Sequence, residues 1–125
     1  MPIAYSSNTE IPRDERCAAV ARDFIHDQLE DVASKEWRDN ALLVTSELIT
    51  NAYHHGSGTI ELRVALLDGE TLIEVIDGGT SGAVRIREQG ATDGGGWGLR
   101  IVDRLSREWG VGEGTTHVWA RLPLE

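Results

Sequence analysis

The fold of this 125-residue chain is decided by one stretch, Ile60-Glu-Leu-Arg-Val-Ala-Leu-Leu-Asp-Gly-Glu-Thr-Leu-Ile-Glu-Val-Ile76. Apolar residues alternate with polar or small ones over residues 60–66, which is typical of a strand with one buried face. Asp68-Gly69 is a strong hairpin turn signal, and residues 72–76 have the composition of the returning strand. The sequence therefore predicts two antiparallel strands joined by a tight turn.

Two amphipathic helices are predicted ahead of this hairpin. Apolar residues recur at helical spacing over residues 12–30 and again over about 36–55. Pro12 suits the first position of the first helix, and Gly56 is expected to end the second. The segment up to Ile11 is expected to be extended, as an edge strand of the same sheet.

The rest of the chain adds a loop, a helix and two strands. Residues 80–96 contain five glycines and no sustained period, so they predict a loop long enough to suspect function. A third helix is expected at about 97–108, a short strand at 108–113 and a final strand at 115–122. Hairpin-linked strands with helices on one side indicate an α+β fold. We expect a two-layer α/β sandwich, with about three helices on one face of a mostly antiparallel sheet.

Length, charge and cysteine content exclude several classes of protein. The length suits a single domain over residues 1–125. The formal net charge of −9 argues against nucleic acid or an anionic membrane as the main partner. Cys17 is the single cysteine, so there is no internal disulfide framework, and we expect it on an apolar helix face. The sequence shows neither a membrane-spanning run nor a signal peptide, which makes the cytoplasm the expected location.

Glu47 and Asn51 are four residues apart on the second predicted helix, so they project from one face, one turn apart. A carboxylate can hold a proton or a water, and a carboxamide can offer a neutral oxygen to a hard cation such as Mg²⁺. His54 and His55 follow in the last turn. Their position favours an interaction with the helix dipole and the terminal carbonyls over a metal site.

Asp77 ends the second hairpin strand with the same parity as Ile73 and Val75, so it is expected on the helix-facing side of the sheet. A carboxylate there can accept a hydrogen bond from an exocyclic amine such as that of adenine, and Gly79 would let a flat ring approach the backbone. The alternative is an aspartate that simply opens a turn.

A glycine-rich run, Gly94-Gly-Gly-Trp-Gly98-Leu99, leads into the third predicted helix. Free backbone N–H groups and the positive end of a helix dipole bind phosphate in such places. The run is neither a Rossmann fingerprint nor a Walker A loop, because a loop precedes it and no Gly-Lys-Ser/Thr follows.

Taken together, four ordered motifs resemble those of the GHKL (Bergerat-fold) ATPases over residues 12–123. The motifs are an N-box at Glu47-x-x-x-Asn51-Ala-x-x-His55-Gly56, a first glycine box at Asp77-x-Gly79, a second at Gly96-Trp-Gly98-Leu99 and a closing Gly114-Thr115-Thr116. The small size, together with Trp109-Gly-Val111 and Val118-Trp-Ala120, looks most like actinobacterial anti-sigma-factor serine kinases.

The resemblance implies ATP and Mg²⁺ as cofactors and a role for each motif. Glu47 would be the general base for a protein serine, Asn51 would coordinate Mg²⁺, and His55 would belong to the nucleotide site with the rest of its motif. Asp77 would accept from the adenine amine above Gly79. The remaining nucleotide-binding residues would be the backbone amides of Gly96, Gly98 and Leu99 at the phosphates and Thr115 or Thr116 near the adenine.

Three functions follow from the resemblance. The first is an ATP-dependent serine kinase that phosphorylates an anti-sigma antagonist and sequesters a sigma factor. The second is an interaction module of the same fold that uses nucleotide weakly or not at all. The third is a remnant of a sensor histidine kinase. Relatives in the anti-sigma branch often dimerise, which leaves a homodimer open.

Overall fold

The structure is a computed structural model that describes residues 5–78, 94–112 and 117–124. Eight helices and strands follow one another in these ranges. They are β1 (Tyr5–Ile11), α1 (Cys17–Leu29), α2 (Lys35–His55), β2 (Ile60–Leu67), β3 (Glu70–Ile76), α3 (Gly94–Leu105), β4 (Glu108–Val111) and β5 (His117–Pro123).

The strands form a single five-stranded sheet in the order β1-β2-β3-β5-β4, and every neighbouring pair is antiparallel. The predicted hairpin is confirmed: Leu67 pairs with Glu70 across the turn, where Gly69 adopts a φ of 75°. The predicted N-terminal edge strand is confirmed too, since Ile11 pairs with Ile60.

The helices cover one face of this sheet, which confirms the α+β two-layer sandwich. Alternate residues of the central strands are buried there: Ile60, Leu62 and Val64 of β2, Ile73 and Val75 of β3, and Val118, Ala120 and Leu122 of β5. Ile25 and Leu29 of α1 and Leu48 of α2 pack in the same cluster, and Cys17 is buried in it as expected. Burying each of the valine, leucine and isoleucine side chains contributes about 1.5–3 kcal/mol.

The first helix starts later than the sequence predicts, at Cys17 instead of Pro12. Asp14 holds the residues just before α1 in a turn. Its carboxylate accepts from the backbone N–H of Arg16 at 2.8 Å, and its carbonyl accepts from the N–H of Cys17 at 3.0 Å. Such local bonds compete with helix formation. Residues 12–16 therefore form a connecting segment, and this segment carries Arg13.

The third helix starts earlier than predicted, at Gly94, and ends at Leu105. Glycine is a poor helix former, which is why the pattern placed the start after the glycines. Val102, buried at 0% exposure, anchors the helix in the core, against α2. The predicted loop at 80–96 therefore extends too far, because residues 94–96 are helical. Residues 80–93 lie outside the described part of the chain.

The end of α2 is confirmed, but the reason for its glycine is not the expected one. Gly56 has φ −98° and ψ −167°, an ordinary extended conformation. Gly58, two residues later, adopts the left-handed φ of 69°. The backbone therefore does not require glycine at position 56. Across the described helices, none combines the length and apolar character that crossing a membrane requires.

Candidate functional site

The site forms where the end of α2 meets the end of β3. The N–H of Gly78 donates to the carbonyl of Ser57 at 2.7 Å, which joins the two segments. A Cβ at Gly56 would overlap the carboxylate of Asp77. Glycine at position 56 is therefore explained by space: it lets a carboxylate from the sheet approach the end of the helix.

Asp77 lies on the helix-facing side of the sheet, as its parity predicts. Its side chain is 0% exposed. Burying a carboxylate is costly unless a partner compensates its charge. The guanidinium of Arg13 approaches Oδ2 of Asp77 through Nη2 at 3.5 Å.

Arg13 is the site residue that the sequence did not reveal. Its Nε donates to the carbonyl of Gly58 at 2.7 Å, and its Nη1 donates to the carbonyls of Ala52 and Tyr53 at 3.0 and 3.1 Å. The last carbonyls of a helix lack intrahelical partners, so the guanidinium supplies donors where α2 ends. No local pattern announces this role, because the partners are 39 to 64 residues away.

Glu47 and Asn51 lie on one face of α2, half-buried, as the spacing predicts. Burial raises the pKa of the Glu47 carboxyl above its usual value. Asn51 has its Nδ2 buried without a hydrogen-bond partner in the described part of the chain. A native structure rarely leaves such a group unsatisfied, and rotating the amide by half a turn would present the oxygen instead. Asn51 therefore presents a buried polar group that a bound ligand would satisfy.

The two histidines of α2 lie exposed in its last turn. The ring of His54 stands 5.3 Å from that of Tyr53 and 6.4 Å from that of His55, measured between centroids. This is the turn in which the sequence predicts an interaction with the helix dipole and the terminal carbonyls. The nucleotide-site role predicted for His55 stays a prediction.

The glycine-rich run lies inside α3 instead of before it. Gly96 belongs to the first turn, where backbone N–H groups lack intrahelical partners, and Gly98 and Leu99 follow within the helix. Gly79, Thr115 and Thr116 lie outside the described residues. The structure therefore places Glu47 and Asn51 on α2 and Asp77 against the end of the same helix, and the predicted phosphate and threonine contacts stay predictions.

An antiparallel sheet covered by helices, with a buried aspartate against the end of a helix that carries Glu-x-x-x-Asn, is the arrangement expected of a GHKL-type nucleotide-binding domain. Residues 11–122 match the family model of the histidine kinase-like ATPase domain. The chain belongs to this family, and the resemblance seen in its motifs is confirmed.

Comparison with solved structures gives the same fold. The chain is similar to the crystal structure of the RsbU and RsbW domains of Rv1364c from Mycobacterium tuberculosis, with a TM-score of 0.69 and 22% sequence identity. The likeness covers 95% of this chain and 31% of that one, so this chain spans about a third of the other's length. Among curated proteins, no match was found.

Proposed function

We propose that the chain binds Mg-ATP between α2 and the end of β3 and transfers the terminal phosphoryl group to a serine of a partner protein. The observation that supports this most is the packing of the Asp77 carboxylate against Gly56, since it sets a buried acid beside the helix that carries Glu47 and Asn51. That arrangement suits a nucleotide whose base lies at Asp77 and whose phosphates lie along α2.

Asp77 is proposed to recognise adenine. An ionised carboxylate only accepts hydrogen bonds, so it favours the exocyclic amine of adenine over the carbonyl that guanine and hypoxanthine carry at the same position. Sites built around such a bond discriminate strongly, because the wrong base leaves a buried group unpaired. Gly79 below the ring and Thr115 or Thr116 beside it complete the proposed base site.

Asn51 is proposed to hold Mg²⁺ at the phosphates. Its Nδ2 is buried without a partner, and the rotated amide would present its oxygen there to a hard cation, which prefers oxygen ligands. Bound Mg²⁺ would neutralise charge on the phosphate oxygens during transfer. The amide of Gly96, in the first turn of α3, is proposed to bind the phosphates with the positive end of the helix dipole, and Gly98 and Leu99 are proposed to lie beside the same site.

Glu47 is proposed to be the general base. A base works best when its pKa lies near the working pH, and burial moves the pKa of Glu47 in that direction. In the proposed step the serine oxygen forms a bond to the terminal phosphorus, the bond to the ADP oxygen breaks, and the hydroxyl proton passes to Glu47.

The partners are proposed from the resemblance to the anti-sigma-factor kinases. They are a sigma factor, which the chain would sequester, and an antagonist protein that carries the acceptor serine. The fold similarity to a structure that contains an RsbW domain supports this choice. A homodimer is part of the same proposal.

Glu47→Gln tests the kinase function. Phosphoryl transfer from labelled ATP to an antagonist recovered with the protein should fall by about 10²–10⁴-fold, the usual contribution of a general base, while Mg-ATP affinity stays unchanged. Glu36→Gln is the matched control, an exposed acid in the first turn of the same helix, and should transfer at the wild-type rate. Wild-type transfer by Glu47→Gln would remove Glu47 as the base. Mg-ATP binding without any transfer by the wild-type protein would favour the interaction module.

A further inference from the structure

We propose that Arg13 is a positioning residue for adenine recognition: it holds the carboxylate of Asp77 in place at the end of α2. The inference rests on the proposed role of Asp77 and adds a residue from the segment between β1 and α1. This segment was expected to be the first turn of a helix, and nothing in its sequence pattern connects it to a nucleotide.

The guanidinium of Arg13 is fixed from several directions. Nε binds the carbonyl of Gly58 at 2.7 Å, and Nη1 binds the two carbonyls of Ala52 and Tyr53 at the end of α2. Because a guanidinium is planar, these bonds also fix where its remaining nitrogen points. That nitrogen, Nη2, faces Asp77. Arg13 thus holds the end of α2, the turn after it and the end of β3 in one arrangement.

The contact with Asp77 falls on a defined oxygen. Arg13 approaches Oδ2, and Oδ2 is also the atom that lies closest to the space a Cβ at Gly56 would fill. One oxygen of the carboxylate therefore faces the protein at both Gly56 and Arg13. Arg13 therefore helps to set the plane in which the carboxylate meets the adenine amine.

The burial of this contact adds to its effect. The carboxylate of Asp77 is 0% exposed and the side chain of Arg13 is 25% exposed, so water competes little for the contact between them. Removing the guanidinium would therefore take a fixed partner away from a buried carboxylate.

This role requires the guanidinium of arginine and not merely a positive charge. The fork of the guanidinium reaches three carbonyls and a carboxylate at once, which the single ammonium of lysine cannot do. The turn that carries Arg13 has bonds of its own. Asp14 and Arg16, bonded to each other, hold residues 13–16 out of the helix.

The test compares two nucleotides in Arg13→Met. Calorimetry measures the affinity for Mg-ATP and for the Mg complex of purine riboside triphosphate, which lacks only the exocyclic amine. Wild-type protein should prefer ATP by about tenfold or more, the contribution of a hydrogen bond to a charged group. Arg13→Met should lose most of that preference while its affinity for the purine analogue stays near the wild-type value. A purely structural role would weaken both nucleotides equally, and an unchanged preference would overturn the proposal.

Three further variants keep the result interpretable. Arg63→Met removes an arginine of β2 whose side chain is 49% exposed and bonds Glu61, and it should keep the wild-type preference. Arg13→Lys should be intermediate. If Arg13→Met does not fold, Arg13→Gln serves in its place, since it retains N–H donors but lacks the fork that reaches the carbonyls and Asp77 together. If the wild-type protein binds no Mg-ATP, the proposed function fails and this inference with it. A wild-type preference for ATP that survives in Arg13→Gln overturns the inference alone.

Discussion

Strand β3 holds a buried carboxylate at each end, Glu70 at its first residue and Asp77 just after its last, and the two are held differently. Glu70 accepts from Arg121 at 2.7 and 2.9 Å and from Arg107 at 3.0 Å. Asp77 is approached by its arginine, Arg13, at 3.5 Å. The exposure of the two carboxylates is similar, 5% for Glu70 and 0% for Asp77.

The difference lies in where each arginine directs its short bonds. Arg121 points two nitrogens at Glu70 and a third at Glu108, so charge-assisted bonds join β3, β5 and β4 at that end of the sheet. Arg13 directs its short bonds to carbonyl oxygens and its long one to Asp77. Burial alone therefore does not identify a ligand-binding acid. The surroundings do: Glu70 accepts three short bonds from arginines that join strands, whereas Asp77 lies against the end of the helix that carries Glu47 and Asn51.

Replacing the site acid should give the largest change. Asp77→Asn keeps the size of the side chain and removes its charge, so Mg-ATP affinity should fall by about 10–100-fold, since hydrogen bonds to charged groups contribute about 1.5–3 kcal/mol. The melting temperature should change little, because the amide remains a partner for Arg13. Equal affinities in Asp77→Asn and wild type would remove Asp77 from the site.

Two glycines, one near each end of β3, test the difference between the two ends. Gly56→Ala places a methyl group where the Asp77 carboxylate lies, so nucleotide affinity should fall together with stability. Gly69→Ala strains a turn residue with φ 75° but meets no atom within 4 Å of the added Cβ. It should cost about 1–2 kcal/mol of stability and leave affinity unchanged. Full nucleotide binding by Gly56→Ala would contradict the close approach of helix and carboxylate.

Replacing the structural acid should have the opposite effect to Asp77→Asn. Glu70→Gln weakens the bonds from Arg107 and Arg121, so the melting temperature should fall. The side chains of these arginines are 57% and 38% exposed and recover hydration, which limits the fall to several degrees. Mg-ATP affinity should not change. Thermal unfolding and calorimetry on the same sample check both results. Loss of nucleotide binding without loss of stability would show that Glu70 is not a purely structural acid.

The pH dependence of stability should show the smallest effect. Burial raises the pKa of Glu47 above the ordinary value of 4.5, so the native state favours the protonated form. Its stabilising contribution is complete below the unfolded pKa and is lost as pH rises through the raised native pKa. Glu47→Gln cannot ionise, so it should match the wild-type melting temperature at about pH 4 and exceed it slightly at about pH 7. A less stable variant at neutral pH would contradict the direction of the shift.

The sequence predicted the features that depend on local spacing. The alternation in β2, the turn at Asp68-Gly69 and the parity of Asp77 each follow from a few neighbouring residues, and the structure confirms them. The pairing of Glu47 with Asn51 on one helix face is of the same kind.

Features set by distant contacts or by competing local bonds were missed. Arg13 finds its partners far along the chain, and the clash that requires Gly56 involves a residue of another strand. The start of α1 depends on Asp14, whose side chain bonds the backbone of Arg16. Pro12 suits the first turn of a helix and a turn before it equally well, so composition alone does not decide between them.

The end of α2 and the end of β3 are proposed to form one adenine-nucleotide site. The most direct measurement is calorimetric titration of the wild-type protein with Mg-ATP and, separately, with Mg-GTP up to millimolar concentration. The account predicts saturable binding of one ATP per chain and much weaker binding of GTP, because the Asp77 carboxylate accepts from the adenine amine and repels the guanine carbonyl. Absence of ATP binding over that range, or equal affinity for the two nucleotides, would contradict it.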